Sequence, residues 1–341
     1  MAFVLLLVAA VSMLAAPLTR RRRLLRFALL GALYLVLDAS LVVRCTALWL
    51  RQPLASRRDP ARWSGRHEAL LGRSLALLLA AARRLLGFRV EIQEPPDQQR
   101  ISGHPLLVLA RHGGPGDSFA LVEMLMSRYR RRPAIVLTER LRWDPGMDLL
   151  LGRLPSCFVR RGQRDAITSR LTEMARDMGR DDAMLLFPEG GNWTPGRHRR
   201  VIARLTGAGR RRAAADAASN PNVLPPHATG VLACLAGRGD LNVAVVAHTG
   251  LEDLVSPASI WRAVPVSEPM VVRWWYESLQ ELPRGAARRR DWLRLQWALV
   301  DSWIDARKAA RPPRRWGPVS ARAEATPNPV PDALAGPKSD R

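Results

Sequence analysis

The chain has 341 residues, and its 53 lysines and arginines outnumber its 30 acidic residues, which gives a formal net charge of +23. This length suits one catalytic domain of ordinary size with appendages. The positive charge favours anionic partners such as nucleic acid, acidic lipid or phosphorylated substrates. Its three scattered cysteines have no metal-ligand spacing and do not indicate a disulfide framework.

Two apolar runs lie near the start of the sequence, at 2–18 and 27–43, with four arginines at 20–23 between them. Each is near the lower limit of about 17 residues for a membrane-spanning helix. A cleaved signal peptide carries its positive charge before the apolar stretch, so this pattern predicts an uncleaved membrane anchor over 1–50. The positive-inside rule keeps the arginines cytoplasmic. The economical topology is one crossing by the first run and an interfacial or re-entrant second run; two crossings or a buried hairpin are the alternatives.

Residues 51–100 are predicted to form an amphipathic helix and a linker. Apolar residues recur at helical spacing over 68–88, with arginines among them. Such a helix either lies on a membrane surface or packs against the protein core, and the pattern favours neither alternative.

Strands and helices are predicted to alternate through a catalytic domain at 101–310. The predicted strands are 105–110, 134–138, 157–160, 183–187, 242–247 and 270–276, and the helices are 119–129, 147–151, 166–178 and 228–236. This alternation predicts an α/β fold with a mostly parallel sheet flanked by helices. Ligands bind at the carboxyl ends of the strands in such sheets. Residues 311–341, rich in proline, alanine and charge, are predicted to be a disordered tail.

The clearest chemistry lies in His112 and Asp117, which four small or turn-forming residues separate directly after the strand at 105–110. Neutral histidine is a common general base near pH 7, because its unperturbed pKa is about 6.5. A carboxylate bonded to one ring nitrogen leaves the other nitrogen free to take a proton. The tight turn predicts that Asp117 folds back onto His112. None of the other five histidines is followed by four small or turn-forming residues and then an aspartate.

The segment Gly116-Asp117-Ser118 has a second interpretation, as the nucleophile block of a serine hydrolase. Hydrolases with this block also need an Asp-x-x-His pair, and no histidine here has an aspartate three residues before it. The Gly-x-Ser-x-Gly elbow is also absent from the sequence. Ser118 is therefore predicted to be a helix-capping or turn residue.

Two later motifs, Cys157-Phe158-Val159-Arg160-Arg161-Gly162 and Phe187-Pro188-Glu189-Gly190-Gly191-Asn192, follow the histidine motif along the chain. In this order the three motifs resemble the glycerolipid acyltransferase family, whose members acylate lysophosphatidic acid and related lysophospholipids. The resemblance covers approximately residues 100–305. It implies that His112 and Asp117 are the catalytic pair.

The same resemblance implies a membrane-bound enzyme of phospholipid biosynthesis or remodelling. Such an enzyme moves a fatty acyl group from acyl-CoA or acyl carrier protein to the hydroxyl of a lysophospholipid such as 1-acylglycerol-3-phosphate. No metal or redox cofactor is expected, and the expected partners are these substrates and membrane lipid, without nucleic acid. The expected location is the bacterial inner membrane, with the catalytic domain facing the cytoplasm.

The third motif departs from the family form, in which Phe-Pro-Glu-Gly is followed by threonine, arginine and serine. Gly191 and Asn192 replace the threonine and arginine. The motif therefore lacks a guanidinium group, which can donate two hydrogen bonds to phosphate oxygens at once. Candidates to replace it are Arg160, at the family's arginine position in the second motif, and the downstream arginines 197, 199 and 200. The arginine-dense segment 197–212 either binds acidic headgroups or donor phosphates, or forms a solvated loop. The resemblance implies that substrate is bound by Phe158, Arg160, Arg161, Glu189, Gly190, Gly191, Asn192 and Pro225.

A fourth motif, at residues 222–230, favours one subgroup of the family. Residues 222–230, which include Pro225, resemble a Leu-x-Pro-Arg-x-x-Gly segment of the lysocardiolipin and lysophosphatidylinositol acyltransferases, with His227 in place of the arginine. Residues 291–303 resemble the late helix of that subgroup.

Two other kinds of protein compete with an acyltransferase. A basic protein that binds nucleic acid or acidic lipid without catalysis fits the net charge, but the sequence has no recognised nucleic-acid module and begins with apolar residues. A lipid-binding relative without turnover fits the fold, but the presence of His112 and Asp117 argues against it.

Overall fold

A computed structural model describes residues 18–51, 60–93, 103–114, 116–159, 162, 164–254, 256–278 and 280–310. Most of the first apolar run and the predicted disordered tail lie outside these residues. Arg160 and Arg161, two of the predicted substrate-binding residues, also lie outside them.

A seven-stranded sheet in the order β1-β7-β6-β2-β5-β3-β4 forms the centre of the protein. Its pairs are parallel except for β6 and β7, which run antiparallel, so the predicted mostly parallel α/β fold is confirmed. The strands are β1 Val90–Gln93, β2 Leu106–Ala110, β3 Arg132–Thr138, β4 Ser156–Val159, β5 Asp182–Leu186, β6 Asn242–Thr249 and β7 Met270–Glu277.

Helices cover both faces of the sheet. They are α1 Leu18–Arg51, α2 Pro60–Leu86, α3 Asp117–Ser127, α4 Pro145–Leu151, α5 Arg164–Asp177, α6 Pro195–Gly207, α7 Arg211–Ala218, α8 Ala228–Gly237, α9 Pro257–Ala263 and α10 Ala286–Ala309, with a 3-10 turn at Glu139–Trp143. One core joins the sheet to α1–α4, and a second core joins its other face to α5, α8 and α10. Strands buried on both faces are mostly apolar, which is why β2 and residues 243–247 of β6 are continuous apolar runs in the sequence.

The second apolar run lies within one continuous helix, α1, whose first turns contain the arginines at 20–23. This helix is long and apolar enough to cross a membrane. Its inner side is attached to the domain, because the Asp38 carboxylate accepts from the Gly146 N–H at 2.8 Å and Arg23 Nε donates to the Val264 carbonyl at 2.9 Å. Its outer side exposes apolar residues, such as Leu35 at 68 % and Val43 at 67 %. No re-entrant turn interrupts the described helix.

The predicted amphipathic helix belongs to α2 and packs against the protein. Leu70, Leu71 and Leu75 are buried in the core with α1 and α3. The face of α2 that carries these leucines therefore packs against the protein core, which was one of the two alternatives predicted for this helix.

The arginine-dense segment is not the solvated loop that was one of its two alternatives. It forms α6 and α7, which pack together through Leu205, Ala214 and Ala217. Thr194 begins α6, because its hydroxyl accepts from the Arg197 N–H at 3.1 Å and Pro195 follows it. The sequence analysis also missed β1 and α9, which are too short to show a periodic pattern.

The apolar outer face of α1 generates a prediction about attachment. The full chain should stay in the membrane fraction after high-salt and carbonate washes, because salt screens surface charge but does not weaken hydrocarbon burial. Fractionation followed by immunoblotting measures this. Release of the protein by salt alone would show that it binds headgroups only through its arginines.

Candidate active site

The first and third motifs meet at one edge of the sheet. His112 follows the carboxyl end of β2, the Phe187–Asn192 loop follows β5, and these two strands are parallel neighbours. The Trp193 N–H, directly after the loop, donates to the His112 carbonyl at 2.6 Å. The Phe187 ring lies against the imidazole with 4.4 Å between centroids. The loop and the histidine are therefore held together by the backbone and by ring packing.

The turn between the histidine and the aspartate folds as the sequence predicts. His112 Nδ1 lies 2.9 Å from Asp117 Oδ2, and the same oxygen accepts from the N–H groups of Gly113 and Gly114 at 3.0 and 3.3 Å. Gly114 has to be glycine, because a Cβ there would lie 2.7 Å from the Leu251 side chain. Asp117 is also the first residue of α3, where the helix dipole favours a carboxylate.

The electrostatics of this pair suit a general base. The Asp117 side chain is 1 % exposed and that of His112 is 21 % exposed. Burial alone raises the pKa of Asp117, but hydrogen bonds from His112 and His248 outweigh it and hold the pKa well below its ordinary value. The ionised carboxylate accepts the proton on Nδ1, so Nε2 of a neutral His112 carries a lone pair. Within the described residues, Nε2 has no hydrogen-bond partner.

A second histidine, His248 on β6, completes the pair, and the sequence analysis did not predict this contact. Its Nε2 donates to the Arg111 carbonyl at 3.0 Å and lies 3.4 Å from Asp117 Oδ2, with the side chain fully buried. The signal in the sequence is a histidine inside the otherwise apolar β6 strand. Because β6 adjoins β2, the fold places this histidine beside the aspartate.

Arg111 connects the segments around the site by hydrogen bonds, and it was not among the residues predicted from the sequence. Its fully buried guanidinium donates to the carbonyls of His248 and Asn222, both at 2.8 Å, and to the Glu252 carboxylate at 2.9 Å. Burial raises the pKa of Glu252, but the charge of Arg111 and the hydrogen bonds from backbone N–H groups together outweigh it and hold the pKa at about 2. Glu252 therefore stays ionised opposite the guanidinium at neutral pH.

Glu189, a predicted substrate-binding residue, faces the interior of the protein. One carboxylate oxygen accepts from Trp297 Nε1 and the other from the Leu224 N–H, each at 3.2 Å. Burial raises the pKa of Glu189 to about 7, against the opposing charge of Arg111 and these two hydrogen bonds. Both oxygens are used inside the protein, so Glu189 positions the loop against α10 and the fourth motif. The His227 N–H adds a bond to the Pro188 carbonyl at 2.9 Å.

The two departures from the family motif bring another arginine to the loop. Arg197, in the first turn of α6, donates to the Asn192 carbonyl at 3.0 Å. A side chain at Gly191 would collide with the Arg197 guanidinium. Gly191 therefore leaves space at the loop for the Arg197 guanidinium. In the family pattern, the motif itself carries an arginine.

The remaining predicted residues lie at different distances from His112. Gly190 and Pro225 line one groove with Glu189. Phe158 lies on the edge strand β4 against the Arg142 guanidinium, 4.9 Å from the ring centroid. Three strand spacings separate β4 from β2, which is roughly 14 Å.

Among the residues described, no cluster of three or more histidine, cysteine, aspartate or glutamate side chains is placed to hold a metal ion.

The contact between His248 and Asp117 generates a prediction about positioning. His248→Leu should lower the kcat of the expected acyl transfer about tenfold and leave KM nearly unchanged, because it removes a hydrogen bond to a buried charge but touches no substrate. His248→Gln should recover much of the loss, since its amide can donate to the same oxygens. Equal kcat values for the leucine variant and the wild type, with folding verified by circular dichroism, would contradict this role.

Comparison with known proteins agrees with the fold and the motifs. The family model described as Acyltransferase matches residues 88–225. No curated protein matches the sequence. Among solved structures, the 1-acyl-sn-glycerophosphate (LPA) acyltransferase PlsC from Thermotoga maritima is similar in fold, with a TM-score of 0.51 and 13 % identity over 86 % of this chain and 100 % of that one. A domain that matches the acyltransferase family model therefore lies at residues 88–225, and the fold of the chain is similar to that of this enzyme.

Proposed function

We propose that this protein transfers a fatty acyl group from an acyl thioester to the hydroxyl of a lysophospholipid at a membrane. The observation that carries the proposal is the His112 imidazole, whose Nδ1 is held by the buried Asp117 carboxylate and whose Nε2 is available beside the third motif. The family match to residues 88–225 supports acyl transfer as the reaction class.

In the proposed reaction, His112 Nε2 removes the proton from the acceptor hydroxyl as the oxygen attacks the thioester carbonyl carbon. Asp117 stabilises the imidazolium that forms, and it stays ionised because its pKa is well below its ordinary value. When the tetrahedral intermediate collapses, the carbon–sulfur bond breaks and the imidazolium returns its proton to the thiolate. The products are an ester and a free thiol, and Ser118 takes no part as a nucleophile.

The acceptor is proposed to be a phosphorylated lysophospholipid such as 1-acylglycerol-3-phosphate. Arg197 supplies the guanidinium that Asn192 does not, because it reaches back to the loop next to His112. A guanidinium can bind two phosphate oxygens at once. Arg160 remains a second proposed phosphate ligand on the strength of its position in the motif.

The packing of α1 supports a substrate that comes from a membrane. The start of α3, which carries Asp117, shares an apolar cleft with α1 and α2, lined by Leu41, Leu75 and Phe119 among others. The helix that is suited to a membrane is therefore packed next to the start of α3, and we propose that the substrate comes from this side. The arginines at 20–23 favour the cytoplasmic side, so we propose the cytoplasmic face of a bacterial inner membrane.

Product analysis tests the proposed reaction. Purified full-length protein in detergent should convert labelled acyl-CoA or acyl carrier protein and a lysophospholipid into a diacyl phospholipid, identified by mass spectrometry. His112→Ala should lower the rate by a factor of about a thousand or more, because it removes the general base. A normally folded His112→Ala protein with near wild-type turnover would show that the base is wrong. Absence of product from the wild type across a panel of acceptors would reject the function.

The contact between Arg197 and the loop generates a prediction about the acceptor. Arg197→Ala should raise the KM for 1-acylglycerol-3-phosphate about tenfold or more, because the pair of charge-assisted hydrogen bonds from its guanidinium to the phosphate is lost. Adding Asn192→Arg in the same chain should restore much of the affinity, since it returns a guanidinium to the position that the family uses. Arg212→Ala is the matched control, because Arg212 is exposed and lies on α7. A KM unchanged by Arg197→Ala would place the phosphate elsewhere.

A further inference from the structure

A wide groove lies on the side of the third motif that faces α6, α7 and α10. It encloses about 1400 Å³, and Gly190 and Pro225 form part of its wall. The loop that ends this wall also contacts His112 through the Trp193 N–H. A molecule in the groove would therefore lie next to the loop that is held against His112.

Most of the charged residues that line this groove are arginines. Its acidic residues are engaged, since Glu189 is buried and hydrogen-bonded, and Asp216 and Asp291 both pair with Arg294 at 3.0 and 2.9 Å. Within the described part of the chain, three further lining arginines are exposed and have no carboxylate partner: Arg200, Arg204 and Arg210. Arg200 and Arg204 follow Arg197 at helical spacing, so they share one face of α6.

The groove and the apolar helix lie on opposite faces of the sheet. α1 belongs to the core with α2, α3 and α4, whereas α10, which forms one wall of the groove, belongs to the core on the other face. A lipid headgroup held in the bilayer would approach from the side of α1, so we place it at Arg197, the lining arginine that contacts the loop beside His112. The rest of the groove lies farther along α6 and favours a polyanion that arrives from solution.

We propose that this groove binds the 3′-phospho-ADP portion of acyl-CoA, which makes acyl-CoA the donor in the proposed function on which this inference rests. This portion carries three phosphates spread along its length, and Arg200, Arg204 and Arg210 offer three separate guanidinium groups. The exposed Leu295 and the partly buried Val201, which both line the groove, provide apolar surface for the adenine ring. The pantetheine arm then extends past Gly190 towards His112.

Binding and kinetics of the full-length protein test the donor site. Desulfo-CoA, which cannot be acylated, should bind the wild type in a calorimetric titration. The double variant Arg200→Ala/Arg204→Ala should raise the Kd for desulfo-CoA about tenfold or more. The KM for acyl-CoA should rise by a similar factor. The KM for acyl-phosphopantetheine, which lacks the nucleotide, and the KM for the lysophospholipid should stay unchanged.

Two matched variants accompany the double variant. Arg212→Ala should bind desulfo-CoA like the wild type, because Arg212 lies on α7 outside the groove lining. Arg200→Lys/Arg204→Lys should retain part of the affinity, since it keeps the charge. Thermal unfolding of the double alanine variant should match that of the wild type.

Four results would overturn the proposal. They are an unchanged Kd for desulfo-CoA in the double variant, an equal rise in the KM for acyl-phosphopantetheine, a rise confined to the lysophospholipid, and a rise confined to acyl carrier protein as the donor. The third result would assign the groove to a headgroup and the fourth to a protein surface. Failure of the proposed function looks different, because the wild type would then bind desulfo-CoA through these arginines without forming a diacyl lipid.

Discussion

The buried carboxylate of Asp117 is the constraint on which the rest of the site depends. An ionised group at 1 % exposure is costly unless charged or polar donors surround it. Here the donors are the His112 ring, the N–H groups of Gly113 and Gly114, and the His248 ring nearby. Satisfying this carboxylate fixes the turn after β2 and the start of α3, and it orients the imidazole with Nε2 outward.

Arg111 is a second buried charge, farther from the proposed chemistry, and it too is surrounded by polar partners. Its guanidinium is fully buried, and it is balanced by Glu252 and by carbonyls from β6 and the fourth motif. The fourth motif in turn holds Glu189 through the Leu224 N–H. A continuous set of buried polar contacts therefore connects the ends of β2 and β6 to the loop after β5, at the edge of the sheet where substrates are proposed to meet.

The two faces of the sheet suit different substrates in the proposed reaction. On one face, α1 presents apolar residues outward and shares an apolar cleft with the helix that begins at Asp117. On the other, α6, α7 and α10 enclose an arginine-lined groove. A lipid acceptor and a water-soluble donor can thus approach the same histidine from opposite sides, which would account for the position of the third motif between them.

The sequence by itself determined the α/β fold and the contact between His112 and Asp117, because both depend on local pattern: apolar runs buried on two faces, and a turn of four small or turn-forming residues. Only the tertiary structure decided that His248 joins the pair, since it is 131 residues from Asp117 and arrives because β6 adjoins β2. The same is true of the inward orientation of Glu189, whose partner Trp297 lies 108 residues away. The return of Arg197 to the loop needed both the α6 helix, whose periodicity the many arginines obscured, and the space left by Gly191. A single sequence encodes which residues are apolar and where turns form, but the order of strands in the sheet decides which distant side chains become neighbours.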